Sequence, residues 1–312
     1  MQMIVHERRD EAEGVVSLHL GRADGGELPA WAPGAHVDVT LANGLVRQYS
    51  LCSDPGDRAR WRLGVLREPV SRGGSEYVVD KIHGGDIVEI GEPRNNFALD
   101  PSPRYVFVAG GIGITPILPM IAAAEAAGAE WTLLYGGRAR TSMAFRGELV
   151  RHGEKVTVVP QDQAGLLDLA GLLGTPRPDT LVYACGPEPM LDAVADAMPA
   201  WPVGSLRVER FTPKTVETDG PDTSFEVECA ASGVTLEVPP DRSILAVARD
   251  ADVRVDFSCE EGTCGTCETP LLAGRAEHRD TLLTEEEREA QDTVFICVSR
   301  AARGCPRLTL DL

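Results

Sequence analysis

Three rhythms of apolar and polar residues follow one another along the chain. In the first, the short β-rich runs VVSLHL, HVDVTL, RQYSL, RWRLGVL and DIVEI are broken by Gly and Pro, which predicts a small antiparallel barrel. One helix is expected after Gly74, where SEYVVDKIH carries apolar residues at helical spacing. The second rhythm consists of continuous apolar runs, YVFVAGG, WTLLYGG, VTVVP and LVYACGP, with the helical stretches PILPMIAAAEAAG and LDAVADAM among them. Uninterrupted apolar strands alternating with helices predict a parallel α/β sheet covered on both faces. The polar stretch TPKTVETDGPD reads as a linker. After it FEVECAASGVTLEV predicts strands and SILAVARDA a short helix. The boundaries read this way are 1–101 for the barrel, 102–212 for the α/β domain, 213–222 for the linker and 223–312 for the last domain.

Composition narrows the classes. Of the 312 residues, 43% are hydrophobic and 25% charged, the balance of packed globular domains. No apolar run approaches the ~18 residues of a membrane span. The N-terminus MQMIVHERRDEAEG meets charge within a few residues, unlike an export signal, so a cytoplasmic location is expected. A net charge of −18 disfavours nucleic acid and anionic membranes as partners, because both need clustered Lys and Arg. From Thr223 onward, 18 Asp and Glu face 9 Lys and Arg. That excess serves solubility, or it forms an acidic face that steers a basic partner.

Half of the eight cysteines carry a pattern. Cys259, Cys264 and Cys267 lie in FSCEEGTCGTCETP as C-x4-C-x2-C, and Cys297 follows in VFICVS. This is the plant-type [2Fe–2S] spacing with a distant fourth thiolate. Two irons and two sulfides need four converging sulfurs, and a short glycine-bearing loop can wrap three around one core. Gly262 and Gly265 are expected at positive φ, turning backbone N–H groups toward the sulfurs. Structural zinc sites use two C-x2–4-C units, and the second is missing here. Cys52, Cys229 and Cys305 read as small apolar packing residues.

Two further turns suit phosphates. Gly111, Gly113, Thr115 and Pro116 lie in AGGIGITP, between an apolar strand and a helix. A helix N-terminus there offers free N–H groups and a positive dipole. The motif departs from the G-x-G-x-x-G fingerprint. Cys185 and Gly186 open a second turn, CGPEPM, at another strand end, where ligands collect in parallel sheets. In the barrel region, Arg47, Tyr49 and Ser50 form R-x-Y-S, and Ser71-Arg72-Gly73-Gly74-Ser75 combines a cation, glycines and hydroxyls at a helix start. The second of these suits a phosphate monoester.

Taken together these motifs, over essentially the whole chain, resemble the phthalate dioxygenase reductase family of the ferredoxin–NADP reductase superfamily, which includes vanillate O-demethylase reductases. The order of motifs is that family's: barrel, nicotinamide domain, C-terminal ferredoxin. The resemblance implies an NAD(P)H-dependent oxidoreductase with an antiparallel flavin barrel, a parallel-sheet nucleotide domain and a β-grasp ferredoxin. It implies that Tyr49 packs on the flavin ring with the Ser50 hydroxyl near N5. Arg47 completes that motif, while Arg72, Gly74 and Ser75 receive the phosphate of FMN. Gly111, Gly113, Thr115 and Pro116 would hold the nicotinamide nucleotide, with Cys185 and Gly186 at its ring. Glu209-Arg210-Phe211 resembles the family's close of that domain. The family's donor is NADH, and Arg138 and Arg140 keep NADPH open as an alternative. Ser50 and Cys185 are the expected catalytic side chains. Electrons would pass from NADH to FMN, to [2Fe–2S] on Cys259, Cys264, Cys267 and Cys297, and out to a terminal oxygenase docked near the cluster loop. That oxygenase would be Rieske-type or, alternatively, a cytochrome P450. The expected state is a monomer. A non-enzymatic zinc or iron–sulfur sensor is the reading from a different class.

Overall fold

The computed structural model describes residues 1–68, 73–213 and 220–312. The chain divides into two compact units, Met1–Arg210 and Phe211–Leu312. The first unit begins with six antiparallel strands: β1 (Gln2–Ala12), β2 (Val15–Arg22), β3 (His36–Thr40), β4 (Val46–Ser50), β5 (Trp61–Leu66) and β6 (Ile87–Ile90), in the order β4-β3-β6-β1-β2-β5. A bridge between Leu51 and Leu63 joins the two outer edges and closes the barrel. Met3, Val5, Leu18, Leu20, Val37, Trp61 and Leu63 fill its interior, each almost wholly buried. The helix expected after Gly74 is α1 (Gly74–Lys81). Strand β1 has no counterpart in the sequence reading. Its HERRDEA half carries charge on both faces, and only Met3 and Val5 alternate into the core.

The same unit continues with β7 (Arg104–Gly110), α2 (Ile114–Ala126), β8 (Glu130–Gly137), α3 (Arg146–Leu149), β9 (Val156–Pro160), α4 (Gln161–Ala164), α5 (Leu169–Leu173), β10 (Thr180–Cys185), α6 (Glu188–Asp196) and β11 (Leu206–Glu209). The sheet order is β11-β10-β7-β8-β9 and every pairing is parallel. Both faces are covered. Tyr105, Phe107, Trp131 and Tyr135 pack on one side with α2, and Val106, Val108, Val182 and Ala184 on the other with α6. That two-sided burial is why these strands read as unbroken apolar runs.

The second unit holds β12 (Phe225–Cys229), β13 (Val234–Val238), α7 (Ile244–Asp250), β14 (Glu268–Ala273), β15 (Ala276–Glu277), α8 (Glu285–Ala290), β16 (Thr293–Phe295), β17 (Arg300–Ala301) and β18 (Arg307–Leu310). A five-stranded mixed sheet, β13-β12-β18-β14-β16, wraps α7 in the β-grasp manner, while β15 pairs with β17. Ser243 caps α7 by accepting from the Ala246 amide at 3.1 Å. The antiparallel barrel, parallel-sheet nucleotide domain and C-terminal ferredoxin expected from the sequence are all present. Among the described residues no helix is long and apolar enough to cross a membrane.

Candidate functional site

The cysteine loop runs from the end of α7 to β14. Cys259, Cys264 and Cys267 lie on it, Cys297 follows β16, and all four are at least 93% buried, with exposures of 7%, 2%, 4% and 7%. Their thiols are linked in one row, Cys264 to Cys259, Cys259 to Cys297 and Cys297 to Cys267. Accepting from Cys264 and Cys297 holds Cys259 below the ordinary thiol value, and accepting from Cys297 does the same for Cys267. The donors Cys264 and Cys297 are held above it, in each case chiefly by Cys259. Among the described residues no three His, Cys, Asp or Glu side chains gather round the position of a single ion. Four linked thiols instead fit a binuclear core, which needs four thiolates. The Glu261 amide donates to Cys259 Sγ at 3.3 Å, and the Thr266 hydroxyl lies 3.2 Å from Cys264 Sγ. Gly262 and Gly265 have φ of +71° and +80°, the conformation expected of them.

Gly262 is enclosed as well as left-handed. A Cβ there would lie 2.7 Å from Val298 Cγ2 and 3.1 Å from Asp280 Cα. Asp280 is wholly buried, and its Oδ2 accepts from the Leu282 and Leu283 amides at 3.0 and 2.9 Å. The Thr281 amide donates to the Gly262 carbonyl at 3.0 Å. Asp280 thus anchors the segment against which the cluster loop rests. Sequence reasoning passed over it, since a single Asp in HRDTLL carries no spacing signal. Of the remaining cysteines, Cys52 and Cys229 are buried packing residues as expected. Cys305 is partly exposed but also packs against the core of the second unit, and its thiol donates to the Arg307 carbonyl at 3.2 Å.

The two glycine turns of the first unit lie side by side, because β7 and β10 pair in parallel with Cys185 opposite Ala109. A Cβ on Gly113 would collide with the Cys185 carbonyl, and one on Gly110 would lie 2.7 Å from both Met190 and Pro187. Only bare backbone permits this approach. Gly113, Thr115 and Pro116 are buried at the start of α2, and the Thr115 hydroxyl donates to the Ile112 carbonyl at 2.9 Å. Cys185 is wholly buried, and burial raises its thiol well above the usual value. Its register partner is Glu209, whose Oε2 lies 3.9 Å from Sγ. Burial pushes Glu209 up to about 8, so at neutral pH this pair is predominantly uncharged. Arg138 and Arg140 stand exposed just past β8.

In the barrel, Arg47, Tyr49 and Ser50 follow one another along β4. The Arg47 side chain crosses to α1 and lies so close to Gly74 that a Cβ there would strike its Nε. The two motifs read separately in the sequence are therefore one place in the fold. Tyr49 packs on the barrel core, and burial raises its hydroxyl above the ordinary phenol value. Ser50 is only 4% exposed, yet its Oγ has no hydrogen-bond partner among the described residues. A buried hydroxyl of that kind fits a polar ring atom of a bound group. The Ser75 hydroxyl accepts from the Glu68 amide at 3.1 Å. Arg72, expected at the phosphate, lies outside the described residues.

Comparison with known proteins agrees with this geometry. Residues 227–302 match the family model of the 2Fe-2S iron-sulfur cluster binding domain, and residues 107–196 that of the oxidoreductase NAD-binding domain. The phthalate 4,5-dioxygenase oxygenase reductase subunit of Pseudomonas putida is 41% identical over 96% of this chain and 93% of its own. Among solved structures, phthalate dioxygenase reductase, described as a modular structure for electron transfer from pyridine nucleotides to [2Fe–2S], matches at 36% identity and a TM-score of 0.74. That match covers all of this chain and 98% of the other. An intact type IV self-sufficient cytochrome P450 monooxygenase matches at 42% identity and a TM-score of 0.91. There, this chain in full spans 41% of the longer protein.

Proposed function

The chain belongs to the phthalate dioxygenase reductase family, and from that premise we propose that it takes hydride from NADH and delivers electrons one at a time to a terminal oxygenase. The observation that carries this reading is four buried, mutually linked thiols in the same chain as a buried serine hydroxyl with no partner among the described residues. Residues 1–101 would hold FMN, 102–212 the nicotinamide nucleotide and 223–312 the [2Fe–2S] cluster, with 213–222 as linker. When bound, FMN supplies the exchange between a two-electron hydride donor and a one-electron iron–sulfur acceptor.

The chain's own residues bind, orient and shield. Arg47, Arg72, Gly74 and Ser75 would receive the FMN phosphate, a reading supported by the contact between Arg47 and Gly74. Tyr49 would cover the ring, and the Ser50 hydroxyl would be the donor available to N5. On the nicotinamide side, Gly111, Gly113, Thr115 and Pro116 present backbone to the pyrophosphate, since the helix start attracts anions. Cys185 and Gly186 border the nicotinamide ring. The buried thiol and the Glu209 carboxyl, both favouring their uncharged forms, would keep a fixed charge away from the nicotinamide ring. Cys259, Cys264, Cys267 and Cys297 hold the cluster.

The acceptor would dock near the cluster loop. Phe257, two residues before Cys259, is 39% exposed with the Arg249 guanidinium 4.1 Å from its ring centroid. All eight cysteines are free thiols, which supports a reducing, cytoplasmic setting, and the chain would act as a monomer. The family relatives favour a Rieske-type oxygenase as partner. The likeness to part of a self-sufficient P450 favours a P450 as the second reading. Anaerobic NADH titration tests the core of the proposal by visible absorption and electron paramagnetic resonance. The expected result is two electrons into a flavin and one into a [2Fe–2S] centre per chain. A flavin-free, colourless protein that binds zinc would overturn it.

A further inference from the structure

Phe145 is held in an unusual conformation at the meeting of the barrel and the α/β sheet. It lies just before α3 with φ +59° and ψ +12°, a left-handed backbone that a bulky residue rarely adopts, and it is 3% exposed. Strain of this kind persists only where surrounding contacts over-determine it. Here they come from both sides. A Cβ on Gly64 of β5 would lie 3.1 Å from the Phe145 ring and 2.7 Å from Thr115 Cγ2. The ring therefore sits beside Thr115 of the nicotinamide turn, both against bare barrel backbone. Arg62, also on β5, stacks its guanidinium 4.9 Å from the ring centroid. It also ion-pairs with Glu148 of α3 and donates to the Cys52 carbonyl at 2.7 Å, two residues beyond Ser50. On the other side, the Tyr135 hydroxyl lies 3.1 Å from the Ala144 carbonyl and 3.2 Å from that of Gly111.

These contacts form one path from the Ser50 edge of the barrel, through Cys52, Arg62 and Phe145, to Gly111 and Thr115. We propose that Phe145 is a positioning residue for hydride transfer: it sets the nicotinamide turn in register with the flavin edge at Ser50. The inference rests on the function proposed above. A ring wedged between the barrel and the nicotinamide turn fixes their spacing, and hydride transfer is steep in that spacing. A misplacement of about 1 Å can cost about 100-fold in rate.

Three variants of the full-length loaded protein test it: Phe145→Leu and Phe145→Ala remove the ring, and Gly64→Ala pushes both the ring and Thr115 away from the barrel side. In anaerobic stopped flow, the limiting rate of flavin bleaching by NADH should fall about 10- to 100-fold, most in Phe145→Ala and least in Phe145→Leu. In the two Phe145 variants the Kd for NADH and the flavin content should stay within about twofold. Hydrogen exchange of the 111–115 amides should quicken in the same order, which a role in packing alone would not tie to the rate. The idea is overturned if folded Phe145→Leu and Gly64→Ala keep wild-type bleaching rates and exchange. A rate loss that tracks flavin content or NADH affinity overturns it equally. Wild-type protein that NADH cannot bleach would instead reject the function itself.

Discussion

Replacing Gly262 with alanine probes the cluster loop at its tightest point. Two costs can be worked out separately. At φ +71° an L-residue meets its own carbonyl, at about 1–2 kcal/mol. The added methyl would also lie 2.7 Å from Val298 Cγ2 and 3.1 Å from Asp280 Cα. Neither neighbour yields easily: the Asp280 carboxylate is pinned by two amides, and Val298 follows ligand Cys297. Overpacking of this kind costs about 1–3 kcal/mol, for a total of about 2–5 kcal/mol. Gly233→Ala is the matched control, with φ +69° in the same unit and nothing within 4 Å of the new methyl. It should lose only the backbone cost, about 1–2 kcal/mol. Urea titration of the loaded full-length protein, followed by cluster absorbance, compares the two. With a slope of about 1–3 kcal/mol/M, Gly262→Ala should lower the midpoint measurably further than Gly233→Ala and shed its cluster sooner. Equal midpoints, to within about 0.5 kcal/mol, would mean that the loop has room, and the argument that Asp280 backs it would fail.

Ser50→Ala removes a buried hydroxyl that has no partner among the described residues, so the thermal stability of the flavin-free protein should hold or rise slightly, while in the loaded protein flavin reduction by NADH slows about 100-fold, the loss typical of one preorganised donor; an unchanged rate refutes the assignment. Cys297→Ser should abolish or distort the iron–sulfur spectrum while NADH still bleaches the flavin, and equal failure of both would refute the serial order. Glu209, raised by burial from 4.5 to about 8, keeps a proton in the folded protein that the unfolded chain has released. Stability should therefore decline as pH rises from roughly 4.5 to 8, and Glu209→Gln should flatten that slope; parallel urea midpoint-versus-pH curves would count against the buried carboxyl. Reduction of the oxygenase partner should slow with added salt, since charges are screened over ~10 Å near 0.1 M, and a flat salt profile would leave the acidic excess to solubility.

What the sequence made legible follows from how local each signal is. Cys259, Cys264 and Cys267 sit within nine residues because one loop must wrap one core, so ligand spacing survives as a string pattern. The glycines at 113 and 186 are readable for a related reason: backbone meets backbone there, and no other residue fits, whereas Gly111 is set by its φ of +55°. The 11-residue strand β1 escaped because only Met3 and Val5 alternate inward before charge takes over. Its place between β6 and β2 is set by pairing with distant strands. Contacts spanning the chain were harder still. That Arg47 reaches Gly74, or Glu209 pairs with Cys185, depends on register across elements that spacing does not encode. Phe145 is the limiting case. Nothing in MAFRGEL marks a phenylalanine for a left-handed turn, since its own propensity favours the opposite. The conformation is imposed by Gly64, Arg62 and Tyr135, contributed by two different sheets. A residue whose backbone contradicts its type because distant groups agree on it is where sequence patterns fall silent, and also where strain most often serves function.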